Sequence, residues 1–366
     1  MRNSRRLGSI FATNALLKIM PEASGCGWCK GTFMAGSLDR SDAPCHRMMF
    51  EGNGMRKTMA VGLTALIAMY FLGGMSARHE TFPWPQLSAM RKMVGGEKAT
   101  APSRYTFDDK ERLIGDESKT LVTCPAQTDR TAVLLILGQS NAANDSGQRY
   151  KSNYGARVIN AFDKRCFIAA SPLLGSTDTK GEYWTLLGNN LIASGQNDSV
   201  ILAPLAYSGS EVARWAKGGD LNPMLVDTLK QLQDSGYRIT NVLWMQGEAD
   251  LVIGTTAEAY QKHFMSMVDT LRQYGVEAPV YISIASKCLE PSNGGFKEHI
   301  PDNAIVRAQL ALSRSGPGIR EGVNSDALLD GEDRYDDCHI GGTGAEKLSR
   351  AWLNLLRGDG RLETSR

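Results

Sequence analysis

Four short polar clusters in the C-terminal two thirds of the chain carry residue types used in acyl-transfer chemistry. They are Gly138-Gln139-Ser140-Asn141, Tyr207-Ser208-Gly209-Ser210-Glu211, Gln246-Gly247-Glu248-Ala249-Asp250 and Asp336-Asp337-Cys338-His339. A serine hydroxyl is not ionised near neutrality and needs a base to become a nucleophile. Of the five histidines, His46 and His79 lie outside the regularly patterned region, His263 falls in a helical stretch, and His299 lies in a Gly-, Lys- and Glu-rich loop. His339 remains, with Asp336 just before it. A tight loop at that spacing lets the carboxylate accept from one ring nitrogen while the other faces Ser140, which fixes the tautomer and stabilises the imidazolium. The plainer alternatives are a helix cap at Ser140 or Asn141 and a surface Asp-His turn.

The elements that must position these residues follow from the hydrophobic punctuation. Apolar runs at 132–137, 157–161, 199–205, 239–245 and 279–285 read as strands. Helical patterns lie between or after them at 224–233, 257–274, 303–315 and 343–356, the second preceded by a Thr255-x-x-Glu258 capping box. Strands alternating with helices imply parallel βαβ units and a sheet covered on both faces, as the continuous apolar runs require. The polar clusters then fall at strand ends or beside helix starts, where open α/β sheets place their ligands. This predicts one α/β domain over residues 131–358 and a short tail over 359–366.

A tetrahedral oxyanion requires donors aimed at the developing charge. The candidates are the Ser140 N–H at a helix start, the Gly209 N–H, where no side chain blocks approach, and the Gln246 amide, which reads equally well as structural. Trp184 and Trp215 are candidates for stacking on sugar faces, although core packing is the default for any tryptophan, as for Trp244 and Trp352. Asn141 and Glu248 are candidate substrate contacts; Glu248 and Asp250 read first as loop braces.

Taken together, "GQSNA" at 138–142, "WMQGEAD" at 244–250 and "DDCH" at 336–339 resemble the blocks of SGNH hydrolases, most closely their sialate O-acetylesterase-like carbohydrate esterases. The resemblance spans about residues 130–357. It implies a flavodoxin-like three-layer α/β/α sandwich with a parallel sheet and removal of acetyl groups from sugar hydroxyls. By motif position Ser140 matches the nucleophile, His339 the base and Asp336 its orienting acid. The superfamily's Gly-x-Asn-Asp block is replaced here by Gln-Gly-Glu-x-Asp, so its oxyanion asparagine has no counterpart. The expected partner is an acetylated carbohydrate. An O-acetyltransferase using the same acyl-serine, or a non-catalytic carbohydrate-binding module, are the alternatives.

With 366 residues, 42% apolar content and a net charge of +2, the composition gives no electrostatic argument for nucleic acid. No HExxH, Walker or dinucleotide-binding motif is present, so neither metal nor cofactor is expected. The start of the chain differs from the rest. Residues 55–77 combine two cations, an apolar run from Met59 to Met75 and small residues, the pattern of a signal peptide or signal anchor. Residues 1–54 read as an untranslated or disordered extension, and 78–130 as a linker. The expected location is extracytoplasmic, on the periplasmic face of a membrane or secreted after cleavage. Export permits disulfides. Cys124 precedes the first strand and Cys166 closely follows the second, which pairs them and leaves Cys288 with Cys338; four buried thiols are the alternative.

Overall fold

The run Thr131–Gly138 has every residue buried, and its side chains alternate between two separate cores. Ala132, Leu134 and Ile136 enter one, while Val133, Leu135 and Leu137 enter the other. A strand covered on both faces must sit in the middle of a sheet. The computed structural model, which describes residues 103–288, 291–292, 295–296, 300–316 and 318–359, places it there.

In chain order the strands are β1 (Tyr105–Phe107), β2 (Leu113–Asp116), β3 (Leu121–Val122), β4 (Thr131–Gly138), β5 (Val158–Phe162), β6 (Arg165–Ile168), β7 (Ser199–Ala206), β8 (Asn241–Met245), β9 (Val280–Ile284), β10 (Pro291–Ser292), β11 (Gly295–Phe296) and β12 (Ile319–Asn324). The main sheet has the order β12-β9-β8-β4-β7-β5-β6-β3. Pairing is parallel from β12 through β5. It turns antiparallel at β5–β6 and β6–β3. The sheet is therefore mixed and mostly parallel, where the sequence reading expected it to be parallel throughout.

The helices are α1 (Trp184–Ala193), α2 (Asn222–Asp234), α3 (Glu248–Ile253), α4 (Ala257–Gln273), α5 (Ala304–Ser313), α6 (Ser325–Leu328) and α7 (Gly342–Asp359). Leu225 of α2, Phe264 of α4 and Ile305 of α5 pack on one sheet face. Leu187 of α1 and Trp352 of α7 pack on the other, which completes three layers. Helix α4 is capped by Thr256, whose side chain accepts from Ala259 N, and not by Thr255 as the capping-box spacing predicted.

The domain also begins earlier than residue 131. β1 and β2 form a hairpin, and β3 closes one sheet edge against β6, so at least residues 103–130 are part of the fold and not a linker. Disulfides Cys124–Cys166 and Cys288–Cys338 both form, as expected. The segments read as extension (1–54), signal (55–77) and all but the first residue of the tail, together with His46, His79 and His299, lie outside the described residues. Among the described residues no helix is long and apolar enough to cross a membrane.

Candidate active site

β4 lies between β7 and β8, so the turns leaving these three strands emerge side by side at the carboxyl edge of the sheet. Gly138, the last residue of β4, has φ 143°, and a Cβ there would collide with the Met245 carbonyl of β8. The glycine lets Gln139 N donate to that carbonyl at 3.1 Å and starts a single turn over 139–144. Ser140 sits on this turn, 4% exposed, and its Oγ has no hydrogen-bond partner among the described residues. Because the turn does not continue into a helix, no macrodipole assists the Ser140 N–H, contrary to the expectation of a helix start.

The Asp336–His339 loop forms as its spacing predicts. Asp336 Oδ1 accepts from His339 N at 2.6 Å and Cys338 N at 2.8 Å, and Oδ2 stands 2.8 Å from His339 Nδ1. Burial would raise the Asp336 pKa, but these N–H groups and the imidazole outweigh it and hold the carboxyl below its ordinary value. The other ring nitrogen does not face Ser140. His339 Nε2 lies 3.1 Å from Asp145 Oδ2, a residue absent from the sequence reading. A neutral imidazole has a single N–H, so carboxylates on both nitrogens are satisfied together only by the imidazolium. To act as base, His339 must turn its Nε2 from Asp145 towards the serine. Such contacts often tighten only when substrate is bound.

Asp145 is itself held through Oδ1, which accepts from Tyr335 OH at 2.8 Å and pairs with Lys180 Nζ at 2.7 Å. Tyr335 stacks on the His339 ring at 5.8 Å, and burial pushes its hydroxyl up to about 12. Asp145 ends the "GQSNAAND" stretch, and Tyr335 immediately precedes Asp336.

Asn141 couples the serine turn to the histidine loop. Its Nδ2 donates to Cys338 O at 3.2 Å and to Glu248 Oε1 at 2.7 Å, and its Oδ1 accepts from Ile340 N at 3.2 Å. It therefore brackets His339 from both sides. With Asn141 4% and Glu248 2% exposed and their polar groups joined to each other, neither is free to contact substrate as proposed from sequence. Both are braces.

Burial raises the Glu248 pKa against the pull of the Asn141 amide, and its Oε2 has no partner. The folded state therefore binds this proton more tightly than the unfolded state does. The resulting penalty is absent below the ordinary glutamate range and grows as pH rises towards the raised folded value. Glu248→Gln keeps the acceptor for Asn141 and should raise stability at pH 8 by roughly 1–3 kcal/mol. That gain should vanish near pH 4 in paired thermal melts, and an equal shift at both pH values would disprove the account.

Gln246 is fully buried, and its Nε2 points to Ser210 O at 3.0 Å, Gln139 Oε1 at 3.3 Å and Asp250 Oδ2 at 2.5 Å. An amide with these acceptors has no proton left for an oxyanion, which removes the third donor proposed from sequence. Asp250 also accepts from Val212 N at 2.8 Å and is a brace as read. Gly209, with φ 67° on an exposed turn and open space where a Cβ would stand, keeps its N–H accessible beside the end of β4. Trp184 and Trp215 are fully buried, their indole N–H groups donating to Ala142 O at 2.8 Å and Ser210 Oγ at 3.1 Å. They support the two turns from below and offer no face to a sugar. Among the described residues no His, Cys, Asp and Glu group is arranged to hold a metal ion.

The Cys288–Cys338 bridge ties the residue next to His339 to the loop after β9. Reduction should lower activity at temperatures where far-UV circular dichroism is unchanged. Loss of activity only together with the fold would show that the bridge stabilises the domain without positioning His339.

Three layers with polar turns converging at the carboxyl edge of a mostly parallel sheet define an α/β domain with its candidate site at the strand ends. Residues 130–309 match the family model for carbohydrate esterase, sialic acid-specific acetylesterase. The chain is 28% identical over 126 residues to a probable carbohydrate esterase of Arabidopsis thaliana, an alignment covering 33% of this chain and 44% of that protein, less than half its length. Among solved structures it is similar to that Arabidopsis protein (TM-score 0.48, 18% identity, 63% of this chain and 99% of the other). It is also similar to NanS (TM-score 0.45, 16% identity, 65% and 99%).

Proposed function

We propose that the domain is a serine esterase that removes O-acetyl groups from a carbohydrate or glycoconjugate. The family match over residues 130–309 supports the reaction class. The observation that carries the mechanism is the Asp336–His339 pair held against the Ser140 turn by both ends of the Asn141 amide. In this reading Ser140 Oγ attacks the acetyl carbonyl as His339 Nε2 accepts its proton. The Ser140 and Gly209 N–H groups receive the oxyanion. His339 then returns the proton to the departing sugar oxygen, and water releases acetate from the acyl-serine by the same route in reverse. Asp336 keeps the imidazole oriented and balances its charge.

The apolar segment at 59–75 and the two disulfides support an extracytoplasmic location. Acetate release should be measured across a panel of acetylated glycans, with a second arm that adds unacetylated glycan as acceptor. Free acetate is the expected product. Acetyl appearing on the added glycan would make the protein a transferase, and no product in either arm would remove the catalytic reading.

A further inference from the structure

A cavity of about 510 Å³ adjoins the serine turn, within the range of small-molecule sites. Its wall is hydrogen-bonded to that turn: Asn144 N donates to Thr177 O at 3.2 Å and Lys180 N to Asn144 O at 2.9 Å. On the other side Ser208 N, just before Gly209, donates to Thr177 Oγ1 at 3.0 Å. The cavity therefore shares a wall with the loop that carries Ser140. The lining contains Phe107, 43% exposed at the end of β1, a large apolar ring with a solvent-facing surface. It also contains two non-glycine residues in the left-handed region, Glu111 (φ 64°) and Asp178 (φ 66°), a conformation that concentrates at ligand sites.

The charges in the lining are unequal in availability. Arg214 forks onto Asp220 at 2.9 and 2.8 Å, and Lys110 lies 3.6 Å from the same carboxylate. Lys180 is paired with Asp145. Lys180 is thus neutralised, while Arg214 and Lys110 share the one negative charge of Asp220; counting Asp145, Asp220, Glu111 and Asp178, carboxylates still outnumber these three cations. Glu111 has no cationic partner among the described residues, and Asp178 accepts from the hydroxyls of Thr177 and Ser208. Carboxylates of this kind accept from sugar hydroxyls and repel a second carboxylate.

We propose that this cavity holds the sugar ring against Phe107 and selects a neutral acetylated pyranose over an acidic one. The proposal rests on the esterase reading and departs from the sialic acid in the family's description. The test compares kcat/KM for 6-O-acetylglucose with that for 9-O-acetyl-N-acetylneuraminate, both esters of primary hydroxyls, with p-nitrophenyl acetate as reference. The neutral ester should be favoured about tenfold or more, and Glu111→Gln should narrow the gap. Phe107→Ala should lower the ratio of the 6-O-acetylglucose value to the p-nitrophenyl acetate value by about tenfold, mainly through KM. A preference for the acidic ester, or an unchanged ratio in Phe107→Ala, would overturn the proposal.

Saturation-transfer NMR with glucose and N-acetylneuraminate reads the cavity without turnover. Contact with glucose that weakens in Phe107→Ala supports the assignment, and stronger contact with the acid refutes it. Inactivity on all three esters would defeat the esterase reading separately, leaving the NMR comparison to decide the cavity.

Discussion

Ser140→Ala should fold and melt like the parent and lose about four orders of magnitude or more of its esterase turnover. The two halves of this expectation have separate causes. Ser140 Oγ has no hydrogen-bond partner among the described residues, so its removal orphans nothing. The carbonyl that Ser140 supplies to Ala143 N at 3.1 Å belongs to the backbone and survives the substitution. The rate falls because a triad acts as a unit, and a base without a nucleophile retains only binding and oxyanion stabilisation. Turnover close to wild type in a pure, folded sample would remove the acyl-serine mechanism.

Gln246→Ala should show the opposite pattern, a large loss of stability with a small loss of rate. The substitution empties a fully buried site and leaves Ser210 O, Gln139 Oε1 and the Asp250 carboxylate without their shared donor. Gln139 Oε1 and Asp250 keep backbone donors, so the cost comes from Ser210 O and the cavity, together roughly 2–5 kcal/mol. For a domain of this size that lowers Tm by about 5–15 °C. Had the amide been an oxyanion donor, kcat would fall by roughly 10²–10³-fold with little change in Tm. Thermal melts and kcat measured on one preparation separate the two. A reduction of kcat beyond about tenfold at unchanged Tm would restore Gln246 to the reaction.

The central strands were legible in the sequence because burial on both faces demands continuous apolar runs, and β4, β5, β7, β8 and β9 all have them. The sheet margins were not. β12 (IREGVN) carries polar residues in its middle, and the β5–β6 turn is made by Asp163 and Lys164 at positive φ, where Asn-Gly is the recognisable signal. Helix α1 escaped notice because most of its residues are buried, which leaves no polar stripe to mark its period. The hairpin β1–β2 read as linker because its strands are only three and four residues long and flank the charged run Asp108–Arg112.

In the candidate site, the Asp336–His339 contact was legible from spacing. Gln246 was misread because its position at a strand end does not reveal whether an amide points outward or beneath the turn. Asp145 was missed because its contact with His339 depends on where a loop 194 residues away settles, as Ser146 Oγ bonding Ile340 O at 3.1 Å illustrates.

The Asn141 hook also sets when in its synthesis the protein becomes an enzyme. Its two contacts to the histidine loop span 197 and 199 residues, so serine and base are held together by links of long sequence separation. Contacts of that range form late, after the intervening chain has lost its loop entropy. A growing chain emerges from its N-terminus with the serine present and no base to use it. The chemistry is withheld until the segment leading into α7 has docked, and a cut anywhere between Ser140 and Asp336 yields fragments that carry half a site each.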